Sequence, residues 1–220
     1  MIATDEQSKS QPAVDPRPSA VSFITTEHFT LQGARSATIA ESTGRASIFL
    51  MSVSGGLVAW GLVATATALG DAFFAFGLVL LPTLAFVGLV TFERVLQSGV
   101  EDLGYARRIA RLRAFYFDTA PELGPYLLSV PLAGRLSVQG LRGGYMQGFR
   151  TVAGMVGVIT AVLAGSEVGL ALAAAVDAPA GALTAGCAGA IVVLLVLMRF
   201  QRRIWARAES APITEYGAPN

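Results

Sequence analysis

Residues Ala46–Phe92 read ASIFLMSVSGGLVAWGLVATATALG, then Asp71, then AFFAFGLVLLPTLAFVGLVTF. Neither arm on the two sides of Asp71 carries a charge. A helix of about 20 apolar residues crosses a hydrocarbon core about 30 Å thick, and each arm is long enough to do so. The stretch therefore predicts two transmembrane helices folded back on each other through a turn at Gly70-Asp71.

A second apolar region has the same layout. Thr151–Val176 is apolar except for Glu167, Asp177-Ala178-Pro179 supplies a turn, and Ala180–Met198 is apolar again. The predicted fold is an all-α polytopic membrane protein. Four transmembrane helices form two hairpins joined by a long cytoplasmic loop that holds an amphipathic helix. The expected segments are a disordered tail (1–22), a juxtamembrane helix (23–45), hairpin one (46–92), a basic loop (93–150), hairpin two (151–200) and a basic, then disordered, tail (201–220). Arg45 and Arg150, Asp71 and Asp177, and Arg94 and Arg199 recur at nearly equal offsets, a faint sign of an internal repeat.

Composition supports this class. Of 220 residues, 53% are hydrophobic and 14% are charged, against about 25% charged in soluble proteins. Cys187 is the only cysteine and His28 the only histidine, which excludes an intrachain disulfide and the usual zinc ligand sets. A nucleophilic couple would have one candidate base, and His28, Cys187, Asp118 and Glu122 form no recognisable catalytic set. No enzyme activity, cofactor or metal is expected. A net charge of +1 gives no reason to expect nucleic acid. The first residues lack the basic stretch and apolar core of a signal peptide, so the first span is expected to stay in the mature protein.

The 16 basic residues set the predicted orientation. They fall in residues 1–45, 93–150 and 199–207, while the two turns hold only Asp71 and Asp177. By the positive-inside rule both termini and the long loop are cytoplasmic, in the cell's plasma membrane. Within the loop, Ser98 and Glu101 fit a helix-capping pattern, as do Thr38 and Glu41 before the first span. Downstream of Ser98, Tyr105, Ile109, Leu112 and Tyr116 fall on one helical face, and Arg107, Arg108 and Arg111 on the other. Such a helix either lies on an anionic leaflet or extends the second span upright into the cytoplasm. The glycine-rich stretch around Arg135 and Arg142 matches no phosphate-binding motif and reads as a flexible interfacial loop. Arg107, Arg108, Arg111, Arg135 and Arg142 are the expected contacts to anionic headgroups or a partner.

Small residues mark the expected helix contacts. Ser52 and Gly56 lie one turn apart in the first span. Gly157, Gly165 and Gly169 line the third, and Gly181 and Gly189 the fourth, where the two stripes are expected to face each other. Cys187 reads as a small core residue. Pro82 removes one backbone hydrogen bond and predicts a kink in the second span. Glu167 is the one ionisable side chain within an otherwise apolar span. It either faces the bundle interior or, if the span ends near Gly165, reaches headgroups.

At Glu41-Ser-Thr-Gly-Arg-Ala-Ser47 the chain resembles the transmembrane effectors of cyclic-nucleotide-triggered bacterial antiphage defence, the Pycsar type. Those run a juxtamembrane helix through a polar, small-residue and basic motif into a membrane hairpin. The resemblance covers about residues 30 to 95 and implies a signal-gated effector or small channel. The Arg-, Ala-, Gly- and Val-rich usage is also similar to that of multi-span membrane proteins of actinobacteria. From the residues themselves the leading expectation is a non-enzymatic, self-associating four-span membrane protein. The effector and a small transporter using Glu167 are the alternatives.

Overall fold

The computed structural model describes residues 16–119, 151–176 and 178–210. They form four helices: α1 (Pro16–Thr67), α2 (Asp71–Thr119), α3 (Val152–Ala175) and α4 (Pro179–Ser210). All four are long and apolar enough to cross a membrane. At about 1.5 Å of rise per residue, α1 and α2 are each more than twice as long as a hydrocarbon core is thick.

That length corrects the expected segmentation. The composition changes at residues 45 and 92, but the backbone runs through both as uninterrupted helix. Helical hydrogen bonding is indifferent to whether a side chain is apolar or charged, so a hydropathy boundary need not be a helix boundary. The two expected capping motifs fail for the same reason. Thr38 and Ser98 lie mid-helix, and their hydroxyls donate to the carbonyls of Ala34 and Arg94, one turn back, the usual resort of such residues inside a helix. Residues 16–22, expected to be disordered, are helical. Pro16 and Pro18 stand in the first described turn, and proline is tolerated where a helical turn needs no backbone N–H donor. At the other end α4 carries the fourth span through RFQRRIWARAE as helix to Ser210.

The helices pack in chain order: α1 on α2, α2 on α3, α3 on α4, with few contacts between non-neighbours. Most of the apolar surface therefore points outward; Met51, Val58 and Leu62 on α1 are each 65% exposed. The core lies along α2, where Phe49 and Val53 of α1 and Val156, Leu163 and Leu170 of α3 bury against Leu81, Leu84, Phe92, Val95 and Leu96. Gly77 and Gly88 make this possible. A Cβ at Gly88 would meet both Phe49 of α1 and the Thr160 hydroxyl of α3. One at Gly77 would meet Trp60 of α1 at 2.8 Å and Leu170 of α3 at 2.6 Å.

Short connections join α1 to α2 and α3 to α4. Ala68 and Leu69 take positive φ values of 50° and 62°, the left-handed conformation that ends a helix. The Leu69 N–H reaches back to the Ala64 carbonyl (3.2 Å) and the Gly70 N–H to that of Thr67 (3.0 Å). Trp60 pins the turn: its indole N–H donates to the Phe73 carbonyl (3.2 Å), and its ring stacks on Phe73 at 5.0 Å. Asp71 opens α2, where its carboxylate complements the positive end of the helix dipole. Pro82 sits inside α2 without interrupting it. Between α3 and α4 the Val176 N–H bonds to the Leu172 carbonyl (2.9 Å) and the Ala178 N–H to the Val176 carbonyl (2.8 Å).

Candidate functional site

The α1–α2 contacts hold one register along their length. Trp60 meets Gly77, and an equal step back along α1 and forward along α2 brings Phe49 to Gly88. A second step, again equal on the two helices, brings Arg35 to Asp102. Matched steps mean that neither helix bulges or slips where apolar sequence gives way to charged.

A common level separates the apolar and charged parts. Phe92 of α2, Gly157 of α3 and Met198 of α4 meet in one layer, with the Gly157 Cβ position 3.1 Å from Phe92 and 3.4 Å from Met198. Just beyond it come Glu93 and Arg94 on α2 and Arg199 on α4. Arg45 of α1 sits one turn beyond Phe49, as Phe92 sits one turn beyond Gly88, so it reaches the same level. Thr151 caps α3 there: its hydroxyl oxygen accepts from the Gly154 N–H (3.0 Å) and from the buried Gln201 amide of α4 (3.2 Å).

Past this level α1, α2 and α4 continue together. Arg35 grips Asp102 with two bonds, Nε to Oδ1 at 2.6 Å and Nη2 to Oδ2 at 3.2 Å, each side chain 27% exposed. Leu31, Thr38 and Ile109 are buried here. Trp205 of α4 lies over Gly99, 3.2 Å from its Cβ position. Arg107 donates to the carbonyls of Ala208 (2.8 Å) and Glu209 (2.9 Å). Both acceptors lie in the last described turn of α4. Arg107 thus ties α2 to the backbone of α4, 101 residues away, a task that no local pattern announces.

His28 lies near the far end of this part. Its ring packs edge-on against Tyr116 of α2, at 6.0 Å, and Phe29, at 6.3 Å. Its Nε2 is 2.6 Å from the Gln32 amide nitrogen, and its Nδ1 is buried without a partner among the described residues. Burial, and then the charge of Arg113, lower its pKa below the usual 6.5. An amide nitrogen can only donate, so this bond too favours the neutral ring.

Between α3 and α4 the contacts are backbone on backbone. A Cβ at Gly165 would stand 2.5 Å from the Gly186 carbonyl oxygen and 2.6 Å from the Ala190 Cβ. One at Gly169 would stand 3.1 Å from the Ala182 carbonyl oxygen. The α4 stripe in this seam is Ala182, Gly186 and Ala190, one position on from the expected one. Gly181 meets only Ala178, at 3.8 Å, while Gly189 makes ordinary contact with Val168 at 3.5 Å and with the Gly165 Cα at 3.7 Å, at the margin of the seam. Both stripes are small, so spacing could not choose between them. Gly157 takes part in a different contact, the Phe92–Met198 layer. Gly56 receives Leu84 (3.0 Å) and Leu80 (3.2 Å) of α2, whereas Ser52 is exposed and donates to the Ile48 carbonyl. The pair Gly77 and Gly88 has a sequence signal too, since about three helical turns place both on one face. Their spacing is simply not the one-turn step by which small-residue contacts are usually recognised.

An open apolar groove of about 490 Å³ runs along this seam, lined by Gly165, Gly169, Ala182, Gly186 and Cys187, with Trp60 contributed by α1. Cys187 is exposed, which corrects its reading as a core residue. Glu167 is half-buried, and α3 continues two turns past it to Ala175, so the span does not end at Gly165. It lies between the level where Thr160 meets Gly88 and the level where Leu170 meets Gly77, near the middle of α2's apolar segment. Among the described residues it makes no hydrogen bond or ion pair. Arg108 is exposed; Arg135, Arg142, Glu122 and Asp177 lie outside the described residues. No group of three His, Cys, Asp or Glu side chains gathers among the described residues. Compared with known protein families, curated proteins and solved structures, the chain matches none.

Proposed function

We propose that this chain is a non-enzymatic, self-associating four-span integral membrane protein of the plasma membrane, with its two ends and the 120–150 segment on the cytoplasmic side. The observation that carries the reading is the common level at which charge begins on α1, α2 and α4. A bilayer edge explains why three helices far apart in sequence change character in register, and the arginines beyond that edge set the orientation. The extended parts of α1, α2 and α4 then form a cytoplasmic stalk. Phe23 and Phe29 on α1 are 75% and 67% exposed in that stalk, where no lipid would cover them, and they favour a second copy as the partner.

Reporter fusions at Gly70 and Asn220 test the orientation, with Gly70 outside and Asn220 inside. A cytoplasmic signal at Gly70 would sink the topology. Cross-linking of the full chain in native membranes should give a dimer or higher species that Phe23→Ser/Phe29→Ser weakens; a species unchanged by both changes removes the stalk from the interface.

A second reading rests on Glu167. A charge at the centre of a span costs about 2.5–3.5 kcal/mol on insertion scales, so such residues are functional candidates by default. A small transporter using Glu167 predicts pH-driven cation flux in liposomes that Glu167→Gln abolishes; equal flux in both proteins would dismiss it.

A further inference from the structure

The charged edge differs among the three helices that cross it. On α1, Arg45 is paired with Glu41 one turn away (2.8 Å). On α2, Arg94 donates to Gln97, which in turn donates to Glu93, both at 3.3 Å. On α4 no acid occurs before Glu209. Arg199 and Arg203, exposed and one turn apart, make no ion pair or hydrogen bond among the described residues. The opposite face of this turn is the one that packs, through buried Gln201 and half-buried Trp205. Going back along the outward face, Val192, Leu195 and Val196 are 58–60% exposed. This face therefore passes from apolar to basic in a single turn, with Phe200 exposed beside the change.

Depth decides which arginines can meet headgroups. The polar layer adds about 5–8 Å on each side of the hydrocarbon core. Because α2 is one unbroken helix, Arg107 stands about 20 Å further along the axis than Arg94. Arg108 and Arg111 are as far or farther. Arg199 and Arg203 follow Met198 closely, within about 8 Å of the edge. Side chains four apart on a helix are neighbours, and two guanidinium groups there can grip one phosphate through several charge-assisted hydrogen bonds.

We propose that Arg199 and Arg203 hold the phosphate of an anionic phospholipid whose acyl chains lie along Val192, Leu195 and Val196. The proposal rests on the four-span reading above, and it moves the lipid contact from the loop arginines to α4. A soluble anion would find the same charges but has no use for the apolar face below them.

The test is native mass spectrometry of the full chain in detergent, titrated with phosphatidylglycerol, phosphatidylcholine or inorganic phosphate. Phosphatidylglycerol should bind preferentially. Its affinity should fall about fivefold for Arg199→Gln or Arg203→Gln, and about twenty-five-fold for both together. Arg199→Lys/Arg203→Lys, which keeps the charge and loses the planar fork, should fall between wild type and the double Gln variant, and Arg108→Gln should leave binding unchanged. The single variants carry the test if the double variant misfolds. Undiminished binding in the Gln variants, an equal loss in Arg108→Gln, or phosphate binding as tightly as the lipid would each overturn the proposal. Alkaline carbonate extraction separates the two readings. Release of wild-type protein from membranes defeats the four-span assignment, whereas firm retention with unaltered lipid affinity defeats this site alone.

Discussion

The α1–α2 and α3–α4 pairs are held by opposite means. The α1–α2 pair puts large side chains into spaces left by glycine: Phe49 over Gly88, Trp60 over Gly77, Leu80 and Leu84 over Gly56. The α3–α4 pair removes side chains from both partners, so that Gly165 and Gly169 touch the backbone of Ala182 and Gly186. Water drives neither association within a bilayer, where lipid tails are as apolar as leucine. What remains is contact itself, obtained from aromatic surface in one pair and from backbone proximity in the other. The first means also works in water, and the first pair extends well past the charged level. The second is confined to the apolar segment.

A glycine-to-alanine comparison should break the symmetry most sharply. Gly165→Ala drives a methyl group into the Gly186 carbonyl, and backbone cannot rotate away; we expect a loss of about 3 kcal/mol, the upper range for overpacking. Gly77→Ala meets the Leu170 methyl end and the edge of the Trp60 indole, side chains rather than backbone, and should cost less, about 1–2 kcal/mol. Thermal unfolding in detergent measures both, and equal losses would mean that the two seams are equally compliant.

Removing the polar tie on the first pair should have a smaller and more local effect. Arg35→Gln is expected to cost at most about 1 kcal/mol, since the ion pair is part-exposed. Hydrogen exchange should speed up in residues 21–45 and stay unchanged in α3. Faster exchange across α3 would show that the stalk and the second pair form one cooperative unit.

The smallest expected effect is a pH response restricted to the far end of the first pair. The folded state holds the His28 pKa below 6.5, so the unfolded chain binds the extra proton more readily. Stability from this residue is therefore present above pH 6.5 and is lost as pH falls through the lower folded value. Exchange near residues 24–32 should rise on acidification in wild type but not in His28→Gln. A response of the same size in the variant would assign it elsewhere.

Hydropathy was enough to find the apolar segments, because an unbroken run such as Ala72–Phe92 has few readings. It could not find the helix ends. Arg45 and Glu93 mark a change of composition, and the backbone passes through both unbroken; Thr38 and Ser98 look like caps only if a helix is assumed to begin there. The α4 stripe was misplaced by one residue because Gly181–Ala185–Gly189 and Ala182–Gly186–Ala190 are both small, and only the partner selects between them. Glu167 stood out as an isolated charge, but its depth required the flanking contacts of Thr160 and Leu170. The role of Arg107 was out of reach, since its acceptors lie 101 and 102 residues away.

The constant register of α1 against α2 has a mechanical consequence. On the four-span reading proposed above, two helices locked from Trp60 to Arg35 behave as a single beam, part of it in the apolar layer and part projecting from it. The projecting arm of α1, residues 16–45, is about 45 Å long. A tilt of about 20°, ordinary for spans that must match a bilayer's thickness, carries the tip of such an arm sideways by about 15 Å. A small change in hydrocarbon thickness is thereby converted into a large lateral excursion of Phe23 and His28, with no helix bending and no contact broken.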